Sequence, residues 1–160
     1  LNKKNNKVAI IMGSQSDYSV MKDCEKILRI LKIKHQVSIV SAHRTPKRMF
    51  EFAESAAKNG FAVIIAGAGG AAHLPGMVAS LATVPVIGVP IESKKLKGLD
   101  SLLSIVQMPK GCPTATMAIN GAFNAGLHAA SIIGTFDLKV RSNLEKWKRL
   151  QTKSVKKKPK

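Results

Sequence analysis

Short apolar runs alternate with amphipathic stretches along the first 90 residues of the chain. Residues 8–12 are uniformly apolar and end at Gly13, which is the pattern of a strand buried on both faces. In residues 20–31 apolar side chains recur at helical spacing, opposite charged ones. The same criteria predict strands at 8–12, 36–40, 61–66 and 84–89, and helices at 20–31, 46–59 and 73–81. This alternation predicts an α/β fold, with a central parallel sheet covered by helices on both faces.

The pattern is less regular after Pro90. Residues 91–100 are polar and predict a loop, whereas the apolar residues 101–107 fit a helix or a strand equally well. Residues 116–133 are rich in alanine and glycine, whose small side chains allow close helix packing. A last amphipathic helix is expected from the spacing of Val140, Leu144, Trp147 and Leu150. The expected organisation is a basic N-terminal extension (1–7), a main domain (8–137), C-terminal helix (138–151) and a basic, disordered tail (152–160).

The formal net charge of +17 at first suggests a nucleic-acid partner. Twelve of these charges lie in the first seven and last twenty-two residues, so the body of the chain is only modestly basic. Aromatic residues, on which bases stack, make up 4% of the 160 residues. Weak contact of the tail with polyanions is conceivable, but specific nucleic-acid binding is disfavoured as the main function. A composition of 45% hydrophobic and 22% charged residues is that of one ordinary globular domain.

The two cysteines, Cys24 and Cys112, are far apart in sequence and form no metal-ligand or CxxC spacing. A reducing, cytoplasmic environment is the simplest expectation. No apolar run approaches the roughly 18 residues of a membrane span, so no membrane partner is expected.

Three loops follow the carboxyl ends of predicted strands, where ligands of open parallel sheets bind. The first loop, 13–17, contains Ser14, Ser16 and Asp17 immediately before a helix. Glycine, hydroxyls and the helix N-terminus together suit a phosphate. A plain helix cap, with Ser16 at the N-cap position, explains the same residues equally well.

The second loop, 41–46, combines His43, which is suited to proton transfer near neutral pH, with Arg44, which binds phosphate bidentately. Pro46 fits the first turn of the next helix, with Thr45 as its cap. The third loop, 67–76, has small residues that let the main chain line a pocket, although tight strand-to-helix packing is an alternative. It lacks a complete GxGxxG motif.

Two further histidines are expected to be structural. His35 lies among lysines and is predicted to be solvated, and His128 is predicted to pack or cap locally in the alanine-rich helix. Zinc-protease, GxSxG hydrolase and P-loop motifs are absent from the sequence.

Taken together, the loops 13–17, 41–46 and 67–77 and the segment 100–109 resemble the N5-carboxyaminoimidazole ribonucleotide mutases, the class I PurE family of purine synthesis. The resemblance runs from about residue 8 to residue 137. It implies a flavodoxin-like three-layer sandwich and a homo-octamer with active sites between subunits. It also implies carboxyl transfer from N5 to C4 of the aminoimidazole ribonucleotide, without cofactor or metal. The animal-type carboxylases that use CO2 directly have lysine at the position of Arg44, so Arg44 favours the mutase.

The resemblance also implies roles for individual residues. Ser14, Ser41 and Arg44 would hold the phosphate with Ser16 beside them, and Asp17 would bind the ribose hydroxyls. His43 would be the acid/base. Gly69, Gly70, Ala71, His73 and Leu74 would line the base and carboxylate end. Direct carboxylation of the aminoimidazole ribonucleotide and non-catalytic nucleotide binding are the alternatives.

Overall fold

The computed structural model describes residues 6–158 and contains one five-stranded parallel sheet. The strands are β1 Lys7–Met12, β2 His35–Ile39, β3 Phe61–Gly69, β4 Val86–Ile91 and β5 Ala115–Thr116. Their order, β2-β1-β3-β4-β5, is that of flavodoxin-like doubly wound folds. The chain reverses its direction of winding between β1 and β3, and a crevice therefore opens where the loops after these two strands diverge.

Helices cover both faces of the sheet. They are α1 Tyr18–Ile30, α2 Pro46–Ser55, α3 Leu74–Leu81, α4 Leu99–Val106, α5 Ala122–Gly134 and α6 Leu138–Ser154, and a short 3-10 helix, Gln15–Asp17, precedes α1. Side chains alternate along β1, so that Ile10 faces the core with α1 and α5, and Ile11 faces the core with α2 to α4. α6 packs outside α5 through the buried Val140 and Leu144. The predicted three-layer sandwich is therefore confirmed.

Small residues in the central strands bring helices close to the sheet. A Cβ added at Gly67 in β3 would overlap the thioether of Met21 in α1. Because Gly67 is the last residue paired with β1, this close approach lies directly beneath the crevice. The spacing of α1 and the sheet at the crevice is thus set by glycine.

The observed boundaries differ from the predicted ones at several elements. Most of the ambiguous segment 101–107 is helical, since α4 runs from Leu99 to Val106. The two-residue strand β5 was not predicted, and α6 extends to Ser154. The last three helical residues of α6 fall in the segment that was expected to be a disordered tail, which also includes residues 159–160, outside the described part. The helix expected at 46–59 ends at Ser55, and Gly60 then adopts a left-handed φ of 83°.

β4 runs two residues further than its predicted end and includes Pro90. The carbonyl of Pro90 accepts a hydrogen bond from the Asn120 N–H, on the side of β4 that faces away from β3. A proline there breaks no bond of the β3–β4 ladder, since its missing N–H would point to the same side. β4 therefore continues to Ile91 and delivers the following residues to the crevice.

The two histidines expected to be structural lie elsewhere than predicted. His35 is not solvated: its side chain is 13% exposed, and Nε2 lies 3.6 Å from a carboxylate oxygen of the buried Glu25. The first position of β2 places it against α1, which the sequence pattern did not indicate. His128 is exposed on α5 rather than packed. Among the described residues, no helix is long and apolar enough to cross a membrane.

Candidate active site

A cavity of about 430 Å³ lies at the carboxyl ends of β1 to β4. All eleven residues that the sequence analysis assigned to a site line it: Ser14, Ser16, Asp17, Ser41, His43, Arg44, Gly69, Gly70, Ala71, His73 and Leu74. They come from three loops separated in sequence, and the parallel sheet brings these loops to one edge. The structure thus unites the predicted residues in one place, while their individual roles stay predictions.

The first loop is held by hydrogen bonds of its own. The Asp17 carboxylate accepts the Ser14 N–H at 3.1 Å, and the hydroxyls of Ser14 and Ser16 lie 2.5 Å apart. Ser14 is the N-cap of the 3-10 helix and Asp17 that of α1, so Ser16 does not occupy the expected cap position. The two adjacent hydroxyls are positioned together at the cavity wall and can bind one polar group of a ligand jointly.

Asp17 supplies the carboxylate of the first loop, and the pKa of its carboxyl group is shifted. Burial raises the pKa of the Asp17 carboxyl above its ordinary value of 3.8. The hydrogen bonds from Ser14 and Ser16 and the positive charge of Arg44 oppose this shift, but burial outweighs them. Asp17 therefore offers a hydrogen-bond acceptor that is partly withdrawn from water.

The second loop is a tight turn closed by Thr45. The Thr45 hydroxyl accepts the Ser41 N–H and donates to the Ser41 carbonyl, both at 3.0 Å. Thr45 occupies the N-cap position of α2, but its side chain makes no hydrogen bond to the helix. The predicted cap position of Thr45 is therefore confirmed, but its hydroxyl shapes the loop instead of bonding to the helix.

Arg44 bridges the first and second loops. Its NH2 group donates to the carbonyl of Gly13 at 2.8 Å, and Nε lies 3.4 Å from the Ser41 hydroxyl oxygen. A guanidinium has five N–H donors, so three remain for a ligand after these two contacts. Arg44 is consequently both fixed in place and able to bind an anion in the cavity.

His43 of the second loop and His73 of the third loop are hydrogen-bonded to each other. Nε2 of His43 lies 2.9 Å from Nδ1 of His73, and the rings meet edge to face with centroids 5.0 Å apart. One of the two nitrogens must accept in this bond, so the bonded pair carries at most one positive charge. The pair can release one proton and recover it without leaving the hydrogen-bonded arrangement.

Several cavity residues were not assigned by the sequence analysis. Ile91, Glu92 and Ser93 line the wall formed by the end of β4 and the loop after it. The sequence pattern that could have identified them is the one that identified the other loops: they follow the carboxyl end of a buried strand. It was missed because the strand was expected to stop before Pro90, two residues too early.

A ring of main-chain atoms and alanine side chains completes the lining, contributed by Gly13, Ala42 and Ala68. Within residues 6–158, no three His, Cys, Asp or Glu side chains lie together as a candidate metal site.

The fold and the cavity define a class: a flavodoxin-like α/β protein with an arginine and a hydrogen-bonded histidine pair at the switch point of its sheet. Comparison with known proteins narrows this class. The AIR carboxylase family model matches residues 7–154, and the chain belongs to this family.

Relatives and solved structures agree with the assignment. The N5-carboxyaminoimidazole ribonucleotide mutase of Escherichia coli strain K12 is 55% identical over 93% of this chain and 89% of its own length. The protein of the same name from Thermotoga maritima is 56% identical over 93% and 87%. The crystal structure of Treponema denticola PurE has 25% identity and a TM-score of 0.84, covering 92% of both chains. The predicted family resemblance is confirmed.

Proposed function

We propose that this chain is an N5-carboxyaminoimidazole ribonucleotide mutase, an isomerase that moves a carboxyl group from the exocyclic nitrogen to a ring carbon in purine biosynthesis. The observation that carries the proposal is the His43–His73 pair, which lies in the same cavity as Arg44 and the serine hydroxyls. Relatives more than 50% identical over nearly the whole chain bear that name.

The phosphate of the substrate is proposed to bind Arg44 together with Ser14 and Ser41, with Ser16 beside them. A charged guanidinium with three unused N–H donors supplies charge-assisted hydrogen bonds, which are the stronger kind. Asp17, adjacent to these serines, is the acceptor proposed for the ribose hydroxyls. Holding the ribonucleotide at this end fixes the distance of its base from the histidine pair.

The base and the migrating carboxyl group are proposed to lie against the third loop. Gly69, Gly70 and Ala71 have little or no side chain, so the main chain itself forms this wall beside His73 and Leu74. Retention of CO2 during the transfer requires a small, water-poor space at this end.

The chemistry needs one proton that is given and then taken back. Imidazolium of His43 protonates the carbamate nitrogen, the N–C bond breaks, and aminoimidazole ribonucleotide and CO2 are formed. The electron-rich ring carbon then forms a C–C bond to CO2. Neutral His43 removes the ring proton and restores aromaticity, so the histidine ends as it began.

His73 is proposed to support this exchange through its hydrogen bond to His43. The bond orients the His43 ring and couples the tautomers of the two imidazoles, because only one of the two facing nitrogens can carry the shared proton. The pair thus keeps His43 ready to act as an acid first and as a base afterwards.

The experiment replaces His43 with asparagine and supplies N5-carboxyaminoimidazole ribonucleotide as substrate. We expect the rate of product formation, followed by absorbance, to fall about 10²- to 10⁴-fold, the usual contribution of a positioned acid–base group. His128→Asn, at an exposed position on α5, is the matched control and should retain the wild-type rate. Substrate binding, measured by calorimetry, should persist in both variants.

Native turnover by a folded His43→Asn protein would exclude His43 as the proton donor. Supplying aminoimidazole ribonucleotide with bicarbonate in a second arm tests direct carboxylation. Efficient product formation in that arm alone would replace the mutase assignment with a carboxylase. If the protein binds the ribonucleotides but turns over neither substrate, it is a non-catalytic nucleotide-binding module.

Assembly and location belong to the same proposal. We propose a homo-octamer with active sites between subunits, in the cytoplasm. One face of α4 and the loop before it expose Leu96, Leu99, Leu103 and Val106, each about half exposed, and such an apolar row suits contact with another copy. Both cysteines are free thiols, in keeping with a reducing compartment. Light scattering should give eight times the 17.2 kDa chain mass.

A further inference from the structure

A fully buried serine on helix α4 joins two of the segments that line the cavity. Ser101 is 0% exposed, and its hydroxyl donates to the Ile91 carbonyl at 2.6 Å and accepts the Gly70 N–H at 2.8 Å. Ile91 is the last residue of β4, and Gly70 directly follows β3. A serine hydroxyl has a single hydrogen to donate, and here that hydrogen is committed to the end of one strand.

The position of this hydroxyl in the sheet is specific. The ladder between β3 and β4 ends at the pair Gly69–Ile91. A Cβ added at Gly69 would lie 3.4 Å from the Ile91 Cβ, so the two strands are already in close contact there. Beyond this pair Gly70 turns into a left-handed conformation with φ of 68°, and its N–H leaves the sheet. Ser101 connects the two strands by a side-chain bridge at the point where main-chain pairing stops.

Neighbouring side chains of α4 reinforce the same connection. The Ser104 hydroxyl donates to the main-chain carbonyl of Asp100 at 2.7 Å and lies 3.4 Å from the Gly70 carbonyl oxygen. The Asp100 carboxylate accepts a hydrogen bond from the Ser93 hydroxyl at 2.7 Å. Hydrogen bonds of Asp100, Ser101 and Ser104 of α4 therefore hold the glycine loop after β3 and the loop after β4 in one fixed arrangement.

We propose that Ser101 is a positioning residue that holds the wall at the carboxyl-transfer end of the cavity in place. It touches no substrate atom in this role. It fixes the Gly70 peptide and the end of β4, so that the wall of Gly69, Gly70 and Ala71 stays against the reacting groups. This inference rests on the proposed mutase function, in which CO2 is free between cleavage of the N–C bond and formation of the C–C bond.

If the loss of Ser101 loosens the wall of Gly69, Gly70 and Ala71, the step that should suffer is the recapture of CO2 by the ring carbon. Protonation of the carbamate nitrogen gives aminoimidazole ribonucleotide and CO2, and recapture forms the ring carboxylate with loss of one proton. If CO2 escapes, aminoimidazole ribonucleotide leaves as a side product. Phosphate binding depends on the first and second loops, which Ser101 does not contact, so the KM should be little affected.

The experiment compares wild type with Ser101→Ala under saturating N5-carboxyaminoimidazole ribonucleotide and measures both products, corrected for enzyme-free breakdown. We expect kcat to fall roughly 10- to 100-fold, as for displaced groups around a reacting centre. The share of aminoimidazole ribonucleotide among the products should rise, and KM should stay within about twofold because ground-state binding is unchanged. Ser131→Ala, which removes an exposed helical hydroxyl on α5, is the matched control and should resemble wild type.

A folded Ser101→Ala protein with the wild-type product ratio and kcat would overturn the proposal. If that variant does not fold, Ser101→Cys replaces it, since the thiol is only a weak hydrogen-bonding group, and the same change in product ratio is expected. In the wild-type protein, hydrogen exchange of the Gly70 amide should be slow. Exchange as fast as in an exposed loop would also overturn the proposal.

Failure of the mutase function and failure of the Ser101 role give different results. A wild-type protein without turnover contradicts the mutase function. Wild-type turnover together with an unaltered product ratio in the Ser101 variants contradicts only the role of Ser101.

Discussion

At the scale of single residues, the site depends on side chains that main-chain atoms hold in place. Arg44 is bound to the Gly13 carbonyl and approaches the Ser41 hydroxyl, so its guanidinium is oriented before any ligand arrives. Preorganisation of this kind lowers the entropy lost on binding. Arg44 is therefore expected to contribute to affinity through the geometry of its planar fork as well as through its charge.

Replacing Arg44 with lysine tests this contribution. Lysine keeps the positive charge but lacks the planar set of N–H donors of a guanidinium, so the KM for the ribonucleotide should rise about tenfold. Arg44→Ala loses both the charge and the donors, and its KM should rise about 100-fold. The kcat should change little in the lysine variant, because the reacting atoms are proposed to lie against the third loop and not at Arg44. Steady-state kinetics at constant ionic strength measure both constants.

The control for this prediction is Arg48, which lies four residues further along the chain, in α2. Arg48 donates to the Ile39 carbonyl at 3.3 Å and does not line the cavity, so Arg48→Lys should leave the KM unchanged. A fall in kcat at constant KM in Arg44→Lys would mean that Arg44 acts in the chemical step.

At the scale of elements, the site is positioned by how closely helices approach the sheet and one another. α1, which follows the Ser14 loop, packs against α5 with a glycine at the contact. A Cβ added at Gly126 of α5 would overlap the Cγ2 atom of Ile27 and lie 3.3 Å from the Cys24 carbonyl oxygen. Both Ile27 and Cys24 are completely buried, which leaves them little room to move.

Gly126→Ala is accordingly expected to destabilise the protein, although alanine favours helix by about 1 kcal/mol over glycine. Overpacking of a close helix contact typically costs about 1–3 kcal/mol and should outweigh that gain. Urea unfolding at fixed protein concentration gives the change in the free energy of unfolding.

Gly134→Ala in the same helix provides the comparison. A Cβ there would be 3.4 Å from the nearest atom, Arg141 Cα, and so would make ordinary contact. Its free energy of unfolding should remain within about 0.5 kcal/mol of wild type or rise. A Gly126→Ala protein as stable as Gly134→Ala would show that α1 and α5 are not tightly apposed.

At the scale of the whole molecule, positive charge is concentrated in the first seven and the last twenty-two residues of the sequence, whereas the cavity is lined by residues between Gly13 and Ser93. α6 ends at Ser154, and the residues after it include four lysines. Long-range attraction of an anionic substrate falls off beyond a Debye length of about 8–10 Å at physiological salt. The basic end is thus expected to influence the rate of encounter and not the chemistry.

Deleting residues 155–160 lowers the formal net charge from +17 to +13. We expect kcat/KM for the ribonucleotide to change less than about twofold at 150 mM salt, with any difference growing at low salt. Steady-state rates across a salt series provide the measurement, with the full chain as reference. A large loss at moderate salt would assign the tail a direct part in the reaction, and loss of binding to a DNA oligonucleotide alone would reveal a separate polyanion contact.

Prediction from sequence succeeded best where one local signal was decisive. Val8 to Met12 are apolar on both faces and form β1, and the loops of Ser14, His43 and His73 follow strand ends as expected. Prediction from the sequence failed where the local structure depended on residues far away in the chain. Nothing local indicates that Thr45 binds back to Ser41, that His35 lies partly buried beside Glu25, or that β4 continues through Pro90 because that side of the strand faces away from β3.

The sequence by itself determined the alternation of strands and helices, the family and the identity of most of the residues around the cavity. These follow from local periodicity and from motifs whose residue types carry the chemistry. Only the tertiary structure decided how those residues combine: the 2.9 Å contact between His43 and His73, the bridge from Arg44 to Gly13, and the buried Ser101 between two strand ends. Each of these joins segments about ten to thirty residues apart, and such contacts depend on strand order and helix packing, which no local window of the chain contains.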